Sequence, residues 1–337
     1  MNRPSGRSAG RPTLDAVAAR AGVGRGTASR VLNGSPQVSP EARAAVEAAI
    51  VELGYVPNRH ARSLVTQRTD SVALVVSESQ ERLFGEPFFA GVLRGINSAL
   101  IETPLQLWLA MAASARQRER VEHHLTDQHV DGVLLLSLHD DDPLPGLLRA
   151  RDMPFVLGGG AARLEPGDAF VDVDNAAGAR QAVDHLRALG RRRIATVAGP
   201  QDMEVGRARL AGYRAAAPGA DLVAYGDFTE EGGAAAMRAL LDREPRLDAV
   251  FAASDLMASG ALRVLRAAGR EVPREVALVG FEDAPIARQT DPPLTTVHQP
   301  AEVMGRRMAE LLIALITGTA TDPHVLLDTH LVRRGSA

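Results

Sequence analysis

Residues 12–64 read PTLDAVAARAGVGRGTASRVLNGSPQVSPEARAAVEAAIVELGYVPNRHARSL. Leu14, Val17, Ala18 and Ala21 fall at helical spacing, with Thr13 placed as an N-cap, and Gly22 breaks the helix. A second helix is expected from about Gly24 to Leu32, closed by Asn33-Gly34. A third begins at Ser39-Pro40-Glu41, with Ser39 as N-cap and Pro40 at the first helical position. Its apolar stripe is Ala42, Ala45, Val46, Ala49, Ile50 and Leu53, and Gly54 ends it. A short helix, a glycine turn and a second short helix make a helix-turn-helix, although the spacing alone fits any small helical bundle.

The second helix separates these two readings. Arg25, Gly26, Thr27, Ser29, Arg30 and Asn33 form a face of donors and small residues without an acid, while Ala28, Val31 and Leu32 turn inward. Surface helices normally mix the two signs of charge. Small residues allow close approach to a groove floor, and arginine pairs bidentately with guanine O6 and N7. Thr13, Ser29 and Asn33 suit phosphate oxygens, as do amides at helix N-termini. Charge agrees: residues 1–68 hold ten Arg against four acids, an excess of six, in a chain of net charge −3. A basic end on an acidic body fits a polyanionic partner for that end, or a solvated Arg-rich tail.

The 337 residues suffice for two or three domains. No apolar run of membrane-spanning length occurs, so no membrane partner is expected. The polar, Arg-rich start lacks the apolar stretch of a secretory signal, which points to the cytoplasm. With no cysteine, disulfides, thiol catalysis and zinc–thiolate sites are excluded. Lysine is absent as well, which removes a Walker-type phosphate lysine.

From Ser71 the pattern changes. Strand-like runs are expected at 72–76, 105–110, 132–136, 155–157, 170–173, 194–197, 222–225, 249–252 and 276–279. Helices are expected near 87–102, 115–128, 174–189, 206–217, 230–243, 255–268 and 300–317. Such alternation means parallel sheets covered by helices, and nine strands exceed one small sheet, so two α/β lobes are expected. The chain divides into a disordered arm (1–12), a helix-turn-helix domain (13–57), a linker (58–70) and a two-lobe body (71–337). The first lobe takes about 71–168 with part of 298–330, and the second about 169–297. A cleft between two such lobes suits a small ligand.

The segment TLDAVAARAGV, then T-x-SRVLNG, VSPEAR and ELGYVPN-x-x-ARSL resembles the headpiece of the LacI/GalR family of bacterial repressors over its whole length. The resemblance implies that Arg25, Gly26 and Arg30 face base edges, with Thr27 and Tyr55 also in the DNA-contacting set. Gly26 stands where many members carry a longer polar side chain. It also implies that Asn58–Leu64 is a hinge helix, with Leu64 wedged into the minor groove and Ala61 allowing two hinge helices to approach.

The body resembles the family's body, which is periplasmic-binding-protein-like. Glu86-Pro87-Phe88-Phe89, Gly199-Pro200 with Arg209-Leu210-Ala211-Gly212-Tyr213, Ser254-Asp255-Leu256-Met257-Ala258, Val279-Gly280-Phe281-Glu282-Asp283 and the crossover 293–300 carry the likeness. It implies an effector site of Phe88, Phe89, Arg209, Phe228, Ser254, Asp255, Glu282 and Gln299. In such a site Arg209 and a carboxylate clamp sugar hydroxyls, and phenylalanines stack on a pyranose or belong to the core. Glu282 and Ser254 depart from the Asp and Asn usual there. Gly158-Gly159-Gly160 is expected to leave room for a bulky ligand. The stretches GVGRGTASRVLNGSPQVS, LVTQRTDSVALVVSE, HVDGVLLLSLH and AGPQDM resemble actinobacterial repressors of cellulose-sugar use, which implies cellobiose or a related β-glucoside.

These implications describe a transcription regulator without cofactor or metal. A homodimer binds a near-palindromic double-stranded operator and is released by a small carbohydrate. The absence of a leucine heptad at the chain's end favours a dimer over a tetramer. A regulator answering a non-sugar ligand or a corepressor is the alternative. An enzyme would need paired carboxylates in the cleft, and adjacent Glu282 and Asp283 do not supply them. His123, His124, His129 and His139 with Asp127 and Asp140 read as a polar helix face and a loop rather than a metal site.

Overall fold

The computed structural model describes residues 12–32, 34–55, 68–126, 129–159, 164–217, 219, 221–319 and 321–337. They form two compact units that divide after Thr69. In the first unit, helices α1 (Leu14–Ala21), α2 (Arg25–Leu32) and α3 (Pro40–Leu53) pack together. Val17, Ala18, Ala28, Val31, Val46 and Ala49 make the small core, and Tyr55 packs against it. Thr13 and Ser39 cap α1 and α3 by accepting from the backbone N–H of Ala16 and Ala42. Gly22 takes a left-handed φ of 67°, which makes the tight turn between α1 and α2. Arg20 on α1 pairs with Glu52 on α3.

The second unit contains two six-stranded sheets. The first has the order β11-β5-β4-β3-β1-β2 and is parallel throughout. Its strands are β1 (Ser71–Val76), β2 (Gln106–Met111), β3 (Gly132–Leu136), β4 (Phe155–Gly158), β5 (Ala169–Val173) and β11 (His324–Leu327). The second has the order β12-β10-β9-β8-β6-β7 and is parallel except for β12 against β10. Its strands are β6 (Ile194–Ala198), β7 (Val223–Tyr225), β8 (Ala249–Ala252), β9 (Ala277–Glu282), β10 (Thr295–His298) and β12 (His330–Val332). Central strands such as β3, GVLLL, are buried at every position, as parallel strands covered on both faces must be.

The covering helices are α4 (Gln80–Gly85), α5 (Pro87–Leu100), α6 (Ala115–Thr126), α7 (Leu144–Arg149) and α13 (Ala301–Thr317) in the first lobe. In the second they are α8 (Asn175–Ala188), α9 (Glu204–Ala216), α10 (Glu230–Arg243), α11 (Asp255–Ala267) and the short α12 (Ile286–Gln289). Apolar side chains of α5 and α13 close one face of the first sheet. The two helices meet through glycine. A Cβ on Gly95 would lie 1.9 Å from the Glu302 carbonyl oxygen, and one on Gly305 would lie 2.1 Å from that of Val92.

Two expectations are corrected here. β5 belongs to the first sheet, so the first lobe runs past 168 to Val173. The chain returns to the first lobe between β10 and α13, at the crossover read from the sequence, but β12 then carries it back to the second sheet, outside the expected bounds of the second lobe. Strands β10, β11 and β12 and helices α4, α7 and α12 also extend the expected set. Three crossovers therefore join the lobes.

Candidate functional site

In the helical unit, α2 presents Arg25, Gly26 and Arg30 to solvent, with Thr27 and Ser29 half-buried and Ala28 and Val31 in the core. Nothing lies within 4 Å of where a Gly26 Cβ would stand, so the fold does not require glycine there. Arg25 Nε lies 3.5 Å from Asp15 on α1, an exposed pair that leaves the guanidinium accessible. Thr13 spends its hydroxyl oxygen on the α1 cap and keeps its proton to donate. Tyr55 is half-buried against the helical core. Asn33, Asn58, Ala61 and Leu64, with the arm and the hinge segment, lie outside the described residues. Residues 12–55 hold four Arg and four acids, so the positive excess resides in the segments flanking the three helices.

In the body, a cavity of about 550 Å³, including its mouth, lies where the two lobes face each other. The first lobe contributes Arg82 and Glu86 around α4, Phe88 and Phe89 at the start of α5, Ser137, Gly159 and Asp172. The second contributes Glu204, Arg209, Phe228 and Glu282, and Gln299 stands in a crossover. The wall thus combines two guanidiniums, several carboxyls and phenylalanine rings.

Arg209 on α9 is only 2% exposed and knots four elements. Its Nε donates to Asn175 Oδ1 at 2.9 Å, and Nη2 donates to Gln299 Oε1 at 2.8 Å. Nη1 donates to the Ala253 carbonyl at 2.6 Å and to Glu282 Oε1 at 3.5 Å. Its guanidinium lies 3.8 Å from the Phe281 ring centroid. Four of the five guanidinium N–H groups are committed, so at most one serves a ligand. Arg209 is foremost a structural centre of the cavity wall.

Ser137, Phe228 and Glu282 line the cavity with φ of 60°, 67° and 112°, values that non-glycine residues seldom adopt. The Phe228 ring occupies the space where a Gly199 Cβ would be, 2.4 Å from its Cζ, which explains the Gly-Pro after β6. Phe88 and Phe89 meet edge to face at 5.4 Å; Phe89 is almost wholly core, while Phe88 is half-buried.

The acids are unusual. Burial, reinforced by Glu282, pushes Glu86 up to about 8, against Arg82. Burial also pushes Glu282 up to about 7, opposed by Arg209 and reinforced by Asp255. Burial thus biases both carboxyls toward the protonated form, in which a carboxyl can donate as well as accept a hydrogen bond from a hydroxyl ligand.

Ser254 and Asp255 do not reach this wall. Ser254 is the N-cap of α11 and accepts from the Met257 N–H. Asp255 accepts from Thr296 Oγ1 at 2.6 Å and the Ala284 N–H at 2.7 Å, so it ties strand β10 to the loop after β9. The glycine stretch after β4 is likewise only half open. Met308 fills the space beside Gly158, while Gly159 borders the cavity at φ 74°. Arg82, Glu86, Asp172 and Glu204 were not foreseen as a group. Only the Glu86-Pro87-Phe88-Phe89 run marked their neighbourhood.

The profile for bacterial regulatory proteins of the lacI family matches residues 13–58, and that for a periplasmic binding protein-like domain matches residues 183–337. The chain is 58% identical over 334 residues to the HTH-type transcriptional regulator CelR of Thermobifida fusca, covering 97% of this chain and 98% of that protein. Among solved structures, a transcriptional regulator CelR–cellobiose complex is similar at a TM-score of 0.77 and 56% identity, covering 97% of this chain and 100% of the other. The lac repressor dimer bound to operator and the anti-inducer ONPF is similar at 0.82 and 27%, with 96% and 98% covered. The helix-turn-helix unit, the two parallel-sheet lobes and these full-length likenesses place the chain in the LacI family of bacterial transcription regulators.

Proposed function

We propose that this protein is a cytoplasmic, homodimeric repressor of carbohydrate-utilisation genes that leaves a near-palindromic operator when cellobiose or a related β-glucoside enters the cavity between its lobes. The observation that carries the reading is the cavity wall itself. Phenylalanine faces, two arginines and carboxyls converge there, the chemistry that recognises a neutral, polyhydroxylated ring. The CelR–cellobiose likeness supports the same ligand class.

Within this reading Phe88 and Phe228 offer ring faces, Phe89 backs Phe88 from the core, and Glu282 and Gln299 bond ligand hydroxyls while Arg209 fixes both. On DNA, α2 lies in the major groove with Arg25 and Arg30 toward base edges, and Gly26 allows close approach. Thr13, Thr27, Ser29, Asn33 and Tyr55 hold phosphates, and Asn58–Leu64 forms the hinge with Leu64 as the minor-groove wedge and Ala61 at the pair's contact.

Isothermal titration of the full chain against cellobiose, longer β-glucosides, glucose and purines tests the ligand assignment. Cellobiose is expected to bind and purines are not. Binding confined to a purine would replace the sugar reading with that of a non-sugar regulator.

A further inference from the structure

Arg82 and the loop that faces it belong to none of the motifs that marked the cavity. Arg82 projects from α4 with its side chain 16% exposed. Nη1 bonds Glu78 Oε1, and Nη2 bonds both oxygens of Glu86 at 3.3 and 3.1 Å. Nε is buried and meets no protein acceptor among the described residues. The guanidinium lies 5.3 Å from the ring centroid of Phe228, a residue of the opposite lobe. Nε is thus enclosed by protein, whereas Nη1 has a second N–H, so the guanidinium that borders the cavity keeps a donor for a ligand oxygen.

Glu78 links this arginine to the seam between the lobes. Glu78 is buried, and its Oε1 also accepts from Ser137 Oγ at 2.7 Å and lies 3.7 Å from His139 Nε2. The other ring nitrogen, Nδ1, lies 2.7 Å from Asp202 Oδ2 in the second lobe. Beside it the Asp140 N–H donates to the Asp202 carbonyl at 2.9 Å. The Asp140 carboxylate takes two bonds from Arg207, at 2.7 and 2.9 Å. Arg207 is held in turn by Glu204 and by the Gln201 carbonyl. Ser77 fixes the first-lobe loop through Asp142. Segment 137–142 follows β3 and segment 201–207 follows β6, so each of these contacts except those of Arg207 with its own loop and of Ser77 with Asp142 either reaches Glu78 or crosses the cleft.

We propose that Arg82 is an effector-contact residue and that Glu78 and His139 pass its engagement to an inter-lobe clasp made by Asp202 and by Asp140 with Arg207. The proposal rests on the sugar-effector reading for the identity of the ligand, and on the geometry above for the coupling. A ligand oxygen that accepts from the Arg82 guanidinium fixes it, which holds Glu78 between Arg82, Ser137 and His139. The imidazole is then aimed at Asp202. That alignment exists only with the lobes together, so the ligand binds the closed arrangement more tightly than an open one. The carboxylates that face His139 are Glu78 from the first lobe and Asp202 from the second. The Glu78 carboxylate at 3.7 Å and the hydrogen bond to Asp202 outweigh partial burial and raise His139 to about 9, so the imidazolium faces both carboxylates.

The test uses full-length protein and the variants Arg82→Gln, Asp202→Asn and His139→Gln, with cellobiose as probe. Each variant is expected to weaken cellobiose binding by roughly tenfold or more, although neither Asp202 nor His139 lines the cavity. In the Arg82→Gln/Asp202→Asn double variant the loss is expected to fall short of the product of the single losses, the signature of one coupled unit. Wild-type affinity in Asp202→Asn and His139→Gln, or losses that simply multiply, overturns the proposal. Amide exchange at Asp140 reads the clasp without sugar, and Arg82→Gln is expected to speed it at least fivefold. If the wild type does not bind cellobiose, the effector reading fails. The coupling is then judged on exchange alone, and unchanged protection at Asp140 in Arg82→Gln refutes it.

Discussion

Replacing Arg209 with methionine keeps most of the aliphatic stem and removes every donor. Two of the four acceptors it leaves cannot turn away. The Ala253 oxygen is main chain, and the Asn175 amide is held by its own nitrogen, which donates to Asp172 Oδ1 at 3.1 Å and the Val173 carbonyl at 3.2 Å. Gln299 and Glu282 border the cavity and can take water instead. Each stranded buried acceptor costs about 1–3 kcal/mol. Losing the cation from the Phe281 face adds roughly 1–2 kcal/mol, and relief of the buried charge offsets part of the sum. The net cost is about 3–5 kcal/mol, the range for breaking a buried pair by removing one partner. Trp108, the only tryptophan, lies in the first sheet, so its fluorescence reports the body. With a urea slope of about 3 kcal/mol/M, the unfolding midpoint is expected to fall by about 1–2 M. Cellobiose binding is expected to vanish as well, because Gln299 and Glu282 lose their anchor. A midpoint within about 0.3 M of the wild type would refute the view of Arg209 as the knot of the wall.

Three further outcomes follow from the same structure. Gly95→Ala pushes a methyl against the Glu302 carbonyl and is expected to cost about 1–3 kcal/mol or more, whereas Gly146→Ala, with open space around it, is expected to cost nothing; equal unfolding midpoints for the two would contradict the close α5–α13 approach. Burial pushes Asp255 up to about 7 against its bonds from Thr296 and Ala284, and the nearby Asp283 reinforces the rise. A folded value above the unfolded one contributes stability fully below about pH 4 and loses it as pH rises through about 7. Asp255→Asn should therefore gain on the wild type across that window, and a constant difference in unfolding free energy from pH 4 to 8 would contradict this. Arg25→Ala is expected to weaken selected operator by about 1–3 kcal/mol and random duplex much less; equal losses would make Arg25 a phosphate contact.

The headpiece was legible because its determinants are local. Caps at Thr13 and Ser39, breaks at Gly22 and Gly54 and the acid-free face of α2 all lie within one turn of what they decide. The strands with continuous apolar runs were equally plain. Strands β10, β11 and β12 were not, being three or four residues long, and β11 and β12 are half-exposed. Their pairing is set by the crossovers, which no local pattern announces. In the cavity, the motif around Arg209 pointed to the right side chain but not to its four protein acceptors, which lie 34 to 90 residues away. Ser254 and Asp255 shared that motif-level signal and serve instead as a cap and a loop anchor. Arg82 carried no signal, since its importance arises from Glu78, Glu86 and a phenylalanine of the other lobe.

Filling the body's cavity is expected to weaken the headpiece's hold on DNA. The direct measurement is fluorescence anisotropy of a labelled operator, selected from a random duplex pool, titrated with the full chain at fixed salt with and without saturating cellobiose. Operator affinity is expected to fall at least tenfold with the sugar, while affinity for random duplex stays the same. Operator affinity that is unchanged by cellobiose while cellobiose demonstrably binds would contradict the account.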